Sequence, residues 1–260
     1  MTIKWIVQNN FRSDADDPKW IEEACNKFGY TYEGFKVVPF SEDNPDKPDD
    51  KTIFYGGTGW INKIYEMYPD TPGIFFNPKS TFPYWVNKYK EAALNYGALI
   101  TTFEEVSKKD YPDDESFFIR PTSDLKEFSG GVMSFKDIKE WSEKIFTDVP
   151  ELGTLPIVIG EPYGLAYEWR LFIINGKVCS ASQYRTYYVR NTRAGAPDDV
   201  IEFAEAQAKV FSPSPIFIMD VCKCGGKPYV IEIGCINSAG FYDCDIEKIV
   251  HDVSEYVRSK

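Results

Sequence analysis

The segment from Ile216 to Gly234 admits few structures. Two largely apolar runs flank Gly225-Gly226, a pair that marks a hairpin. Side chains alternate across a strand, so burial fixes register. A three-residue loop over Gly225 to Lys227 pairs Cys224 with Pro228 and sets Asp220 directly opposite Glu232. Phe217, Met219, Val221, Tyr229, Ile231 and Ile233 then make a wholly apolar face, while Ile218, Asp220, Cys222, Val230, Glu232 and Gly234 make the other. A two-residue turn would drop one of the two acids among the apolar residues, and the pattern rejects it. Two carboxylates facing each other on neighbouring strands repel unless a cation compensates them. Mg²⁺ takes oxygen ligands and commonly binds through one or two carboxylates together with substrate phosphates. Asn237, in EIGCIN, offers a neutral oxygen beyond Glu232. Asp220, Glu232 and Asn237 are therefore candidate metal ligands; the competing reading is two incidental acids on a wet face.

A second hairpin centres on Asn175-Gly176, the strongest short turn signal in the chain. A two-residue turn there sets Ile174 opposite Lys177, Phe172 opposite Cys179 and Arg170 opposite Ala181. Trp169, Leu171, Ile173 and Val178 share one side, and Glu168, Arg170, Gln183 and Arg185 the other. A solvated outer face is a common fate for such a polar side.

Upstream, FIRPTSDLKEFSGGV puts Arg120 at a strand end, followed by Lys126 and the turn Ser129-Gly130-Gly131. Glycine turns let backbone N–H groups approach phosphate oxygens, with Arg or Lys supplying counter-charge. Neither GxxxxGK[ST] nor GxGxxG is present. An SGG segment is also an ordinary turn.

Composition removes other chemistries. Forty acidic residues against 29 basic ones give a net charge of −11, which argues against non-specific nucleic-acid or anionic-membrane binding. A single histidine, His251, excludes sites needing two imidazoles, HExxH zinc sites among them. No apolar run is long enough to span a bilayer and no secretory leader is evident, so a cytoplasmic location is expected. The six cysteines read as reduced thiols; the alternative is a CKCGG metal knuckle at 222–226 completed by Cys235 and Cys244.

Residues 1–110 alternate short strands (3–7, 35–40, 52–57, 73–77, 98–102) with helices near 18–28, 59–68 and 83–96, the pattern of a parallel α/β layer. Asp17-Pro18 reads as the first helix's N-cap and first turn, and the Pro- and Asp-rich stretch 41–51 as a loop. After residue 110 the pattern changes to hairpins. Strands at 117–121 and 156–162 flank a helix at 134–146 capped by Ser134, and further helices are expected at 198–210 and 245–258. FPYWVNKY (82–89) reads as a packed helix, and TYYVRNTRAGAP (186–197) as a surface loop.

Taken in chain order, a strand with Arg-Pro, a Lys, a glycine turn, IVIGEP, an ExR hairpin and a closing D…ExG…N resemble the ATP-grasp superfamily. FIRP and DLKEFSGG are most similar to a divergent bacterial and phage clade related to a eukaryotic translation-initiation assembly factor. The resemblance implies an α/β (α+β) ATP-grasp fold over 111–260, in which two antiparallel-sheet subdomains (lid about 117–157, large subdomain about 158–260) enclose ATP. A small parallel α/β pre-ATP-grasp domain, 1–110, precedes it. It implies that Arg120 and Lys126 contact nucleotide phosphates, with Arg120 standing where most of the superfamily has lysine. Gly130-Gly131 would be the lid turn. Glu161 would lie at the adenine and ribose hinge, where nearby Glu168 is the alternative. Arg170 and Arg185 would face the transferred phosphate, and Asp220, Glu232 and Asn237 would hold Mg²⁺. The implied activity is ATP- and Mg²⁺-dependent ligation, in which a carboxylate is activated as an acyl phosphate for an amine or other nucleophile, on a small molecule, peptide or protein. Alternatives are a nucleotide-binding assembly factor without turnover and a phosphoryl or nucleotidyl transferase.

Overall fold

In the computed structural model, which describes residues 2–10, 16–38, 44–123, 125 and 127–260, three sheets account for all twelve strands of the described residues. Strands β1 (Lys4–Gln8), β2 (Thr31–Phe35) and β3 (Thr52–Tyr55) form a parallel sheet in the order β2-β1-β3. Helix α1 (Asp17–Phe28) makes the crossover between β1 and β2, and α2 (Thr58–Met67) follows β3. Pro18 lies in the first turn of α1, and Gly29 closes it at φ 71°, a left-handed conformation that suits glycine. Asp17 is the first helical residue rather than the cap. It is buried and accepts a hydrogen bond from the Tyr55 hydroxyl at 2.7 Å.

The segment 73–77, expected as a strand, makes only an isolated bridge from Gly73 to Ile53. Strand 35–40 shifts forward to Thr31–Phe35, and Pro39 and Phe40 lie outside the described residues. The expected loop at 41–51 carries no regular element over 44–50, its first three residues being outside the description. Helix α3 (Phe82–Tyr89) is shorter than the expected 83–96 and gives way to a 3₁₀ turn at Lys90–Ala92.

The second sheet is antiparallel and contains β4 (Leu99–Thr101), β5 (Ser116–Pro121), β6 (Gly131–Ser134) and β7 (Ile157–Gly160), in the order β4-β7-β5-β6. Helices α4 (Phe103–Val106) and α5 (Phe135–Asp148) join it around Phe103, Ile119, Phe135, Ile138 and Ile157. Ser134 caps α5 by accepting from the Asp137 N–H. A domain boundary at residue 110 would cut β4 and α4 from the sheet and core that hold them, so the lid unit begins near Leu99. Its entry and exit meet: a Cβ on Gly160 would lie 3.1 Å from the Ala98 Cβ and the Asn95 amide. The entry is pinned to the base by the Leu94 N–H, which donates to the Val230 carbonyl at 3.0 Å.

The third sheet runs β10-β9-β8-β11-β12, from β8 (Tyr167–Ile174), β9 (Lys177–Thr186), β10 (Val189–Ala194), β11 (Ile216–Cys224) and β12 (Lys227–Gly234). Helix α6 (Asp198–Val210), with α3, covers the face made by Trp169, Leu171, Ile173, Phe217, Met219 and Val221. The opposite face is not solvated. Phe172, Ile216 and Ile218 are buried in a core shared with β1, α1 and the C-terminal helix α7 (Ile246–Arg258).

Both hairpin registers depend on bulges. Asn175-Gly176 is a two-residue turn with both residues at positive φ, but a bulge moves Phe172 opposite Ser180 and Arg170 opposite Ser182. Gly225-Gly226 is also a two-residue turn, pairing Cys224 with Lys227, the form the alternation had rejected. A bulge between Val221 and Asp220 recovers the predicted pairing of Asp220 with Glu232. It places Val230 in the apolar core and turns Ile231 to the cleft side. The expected loop at 186–197 is instead a third hairpin, with Tyr187 (φ 44°) and Tyr188 (φ 67°) at its turn.

Asn237 joins the N-terminal sheet to the rest of the chain. Its side-chain oxygen accepts from the Phe75 N–H at 2.7 Å, and its amide donates to Phe54 and Gly73 carbonyls at 2.6 and 2.9 Å, all in buried surroundings. Asn237→Ala leaves those three backbone groups without partners and is expected to cost about 3 kcal/mol or more. Urea unfolding measures the loss.

Candidate active site

A cleft of about 370 Å³ separates the lid sheet from the third sheet. Arg120, Gly130, Gly131, Glu161, Glu168, Arg170, Arg185, Asp220 and Glu232 line it, so the structure gathers most of the residues singled out by sequence. Lys126 lies outside the described residues. Asn237 does not line the cleft; its amide is committed to the N-terminal sheet, and a place beside Asp220 and Glu232 is therefore corrected.

The base of the cleft is built on adjacent strands. Arg170 on β8 lies opposite Asp220 on β11, which lies opposite Glu232 on β12. The Arg170 guanidinium donates to both Asp220 oxygens at 2.9 Å, with Asp220 2% and Arg170 7% exposed. A third guanidinium N–H reaches the Gly240 carbonyl at 3.3 Å. Burial opposes the Arg170 charge, but the charge and hydrogen bonds of Asp220 outweigh it and hold the group protonated. Glu232 faces Arg120 from the lid at 3.8 Å. Arg120 also donates to the Ile231 carbonyl at 3.2 Å and sits over the Phe82 ring. The cation demanded by two opposed carboxylates is thus present as two guanidinium groups, one from each side of the cleft. Each carboxylate oxygen offers more than one lone-pair direction, so the pair retains capacity for a metal.

Gly130 closes on Arg120: a Cβ there would lie 3.1 Å from the Arg120 Cβ and 3.3 Å from the Ile119 carbonyl. Gly131 begins β6, opposite Ile119, with open space around it. Glu161 is exposed at the mouth, whereas Glu168 is buried inside. Glu168 accepts a 2.8 Å hydrogen bond from the Tyr184 hydroxyl and lies 3.4 Å from Arg185. Burial raises its pKa, with Asp220 adding to the rise and Arg185 and Tyr184 opposing it. Tyr184 was not singled out by sequence. The bulge that brings it beside Glu168 carries no glycine or proline signal.

Arg170 stacks 5.2 Å from the Tyr242 ring and 5.9 Å from Tyr184; the two rings are parallel, 5.0 Å apart. Tyr242 adopts φ 53°, an uncommon conformation for a bulky residue. The proposed cysteine knuckle does not form. Cys235 and Cys244 belong to separate cores, burial raises the Cys222 pKa, and no cluster of three or more His, Cys, Asp or Glu among the described residues can hold a metal. None of the described helices is long and apolar enough to cross a membrane.

The arrangement defines a class: two antiparallel sheets clasping a cleft whose charged groups are opposed acids and guanidiniums. Residues 58–253 match the model for an ATP-grasp domain, clade family 3, and the chain belongs to that ATP-grasp family. The crystal structure of D-cycloserine synthetase DcsG is similar at 14% identity and TM-score 0.67, covering 98% of this chain and 99% of that one. D-alanine–D-alanine ligase from Bacillus anthracis is similar at 14% identity and TM-score 0.63, with 100% and 98% covered. The ATP-grasp ligase PsnB, complexed with precursor peptide PsnA2 and AMPPNP, is similar at 13% identity and TM-score 0.59, with 98% and 97% covered. At these identities the likeness is one of fold. No curated protein matches the chain.

Two outcomes test the site's electrostatics. Arg170→Ala strands a buried carboxylate and is expected to destabilise the protein by about 3–5 kcal/mol in chemical denaturation. Glu168 keeps its proton to higher pH when folded than its ordinary value of 4.5. The native state therefore binds the extra proton, and this group's contribution to stability falls as pH rises from about 4.5 through the raised folded value. Glu168→Gln should remove that component, so that stability of the variant relative to wild type climbs with pH and then levels. Urea midpoints across that range read the difference.

Proposed function

We propose that the chain is an ATP- and Mg²⁺-dependent ligase that activates a carboxylate as an acyl phosphate for attack by an amine or other nucleophile. The observation that carries this reading is the row Arg170, Asp220, Glu232 and Arg120 across the base of the cleft, opposite the Gly130-Gly131 turn. ATP would lie between the two sheets, its adenine end toward Glu161 and the connector after β7 and its ribose near Glu161 or Glu168. Arg120 and Lys126 would meet the phosphates. Asp220 and Glu232 would hold Mg²⁺, which when bound neutralises phosphate oxygens.

In the first step a carboxylate oxygen of the substrate bonds to the γ-phosphorus and ADP leaves. In the second, the nucleophile bonds to the acyl carbon, and phosphate departs with the electron pair of the broken C–O bond. Arg170 and Arg185 stabilise the negative charge that develops, and closure of the lid sheet keeps water from the acyl phosphate. No covalent protein intermediate is required, which suits a chain with one histidine lying far from the cleft in α7. The six cysteines are free, as expected of a protein acting in the cytoplasm.

One feature favours the second reading, an assembly factor that binds nucleotide without turnover: both Asp220 oxygens are already engaged by Arg170. Incubation with ATP, Mg²⁺ and pooled carboxylates and amines separates the two. A ligase releases ADP and phosphate only with the right pair, and Glu232→Gln lowers that rate by about 100-fold or more. Tight nucleotide binding with no ADP formed from any pool supports the assembly factor instead.

A further inference from the structure

A second cleft, of about 300 Å³, lies behind the first. The two share Tyr184, Arg185 and Tyr242, so a single layer of side chains separates them. That layer is an alternating stack: Arg185 lies 5.6 Å from the Tyr184 ring, Tyr184 is stacked on Tyr242, and Arg170 faces both rings from the nucleotide side. The second cleft reaches from this wall to the start of α1 and to the segment after β12. Its charged groups are of both signs. Asp16 and Asp243 are exposed carboxylates lining it, Arg190 from β10 is an exposed guanidinium, and the Trp20 ring supplies an apolar flank. Among the described residues the side chains of Asp16, Asp243 and Arg190 have no ionic or hydrogen-bonding partner, unlike Asp17 beside them, which is held by Tyr55.

A cleft with unneutralised carboxylates alone would select a cation, and one with guanidiniums alone an anion. Both kinds of group in a volume at the small end of ligand pockets suit a compact molecule carrying both charges. Its position behind the wall places that molecule next to Arg185, which both clefts share. We propose that this cleft is the co-substrate site and takes a small amino-acid-like zwitterion, its ammonium held by Asp243 and Asp16 and its carboxylate by Arg190. The proposal rests on the nucleotide reading of the first cleft, since it assigns the other reactant of that reaction.

Isothermal titration tests it on the whole chain saturated with AMPPNP and Mg²⁺. The probes are the proteinogenic amino acids in L and D form, singly, with methylammonium and acetate as half-molecules. At least one amino acid is expected to bind, tenfold or more tighter than either half-molecule. Asp243→Asn and Arg190→Gln are each expected to weaken that binding tenfold or more, while AMPPNP affinity, titrated separately, stays within twofold and reports that the variants are folded. Normal AMPPNP binding with no amino acid bound overturns this proposal alone. So does amino-acid affinity unchanged in both variants, or a half-molecule that binds as tightly. Failure of the unaltered protein to bind AMPPNP overturns the nucleotide reading and this one with it.

Discussion

The buried pair of Arg170 and Asp220 is the interaction on which the cleft depends. Two charges at this depth are tolerable only because the guanidinium meets both carboxylate oxygens and spends a further N–H on Gly240. The pair therefore fixes the spacing of β8 and β11, and the carbonyl contact fixes the approach of the segment after β12. The tyrosine layer dividing the two clefts stacks on the same guanidinium. Removing the charge from either strand would disturb the sheet, the wall and the base of the cleft together.

Much of this was legible in the sequence, for identifiable reasons. Alternation in 216–234 placed Asp220 opposite Glu232, and Ser134, Pro18 and Gly29 marked helix ends through local chemistry that needs no tertiary context. The turn between β11 and β12 was misread although the pairing it led to was right. A three-residue loop and a two-residue loop followed by a bulge both bring Asp220 to Glu232, and alternation cannot distinguish them. Bulges have no composition of their own, so neither the displacement of Val230 into the core nor the position of Tyr184 could be read. Tyr187 and Tyr188 hid a hairpin for a related reason: positive φ at both turn positions is expected of Asn and Gly, not of two aromatics.

Asn237 shows where a chemical reading of residue type fails. An amide after a paired carboxylate strand suits a metal site, and the same amide suits a junction between polypeptide segments. Sequence gives its donors and acceptors but not their direction. Its three bonds to Phe54, Gly73 and Phe75 assign it to the second role. The lid boundary is a parallel case. β4 reads as the last strand of an alternating layer, and only its partner β7 assigns it to the lid sheet.

The approach of Gly160 to Ala98 gives the lid a mechanical character. The unit enters and leaves through adjacent points, like a door hung on one edge, and the entry side is bolted to β12 through Leu94. Such an attachment allows rotation about the edge but little sliding. The Arg120 side chain, carried on the door, sweeps an arc toward or away from Glu232 rather than along it. Opening the door and separating that ion pair are one motion, and the absence of a side chain at Gly160 is what lets the two leaves of the hinge lie so close.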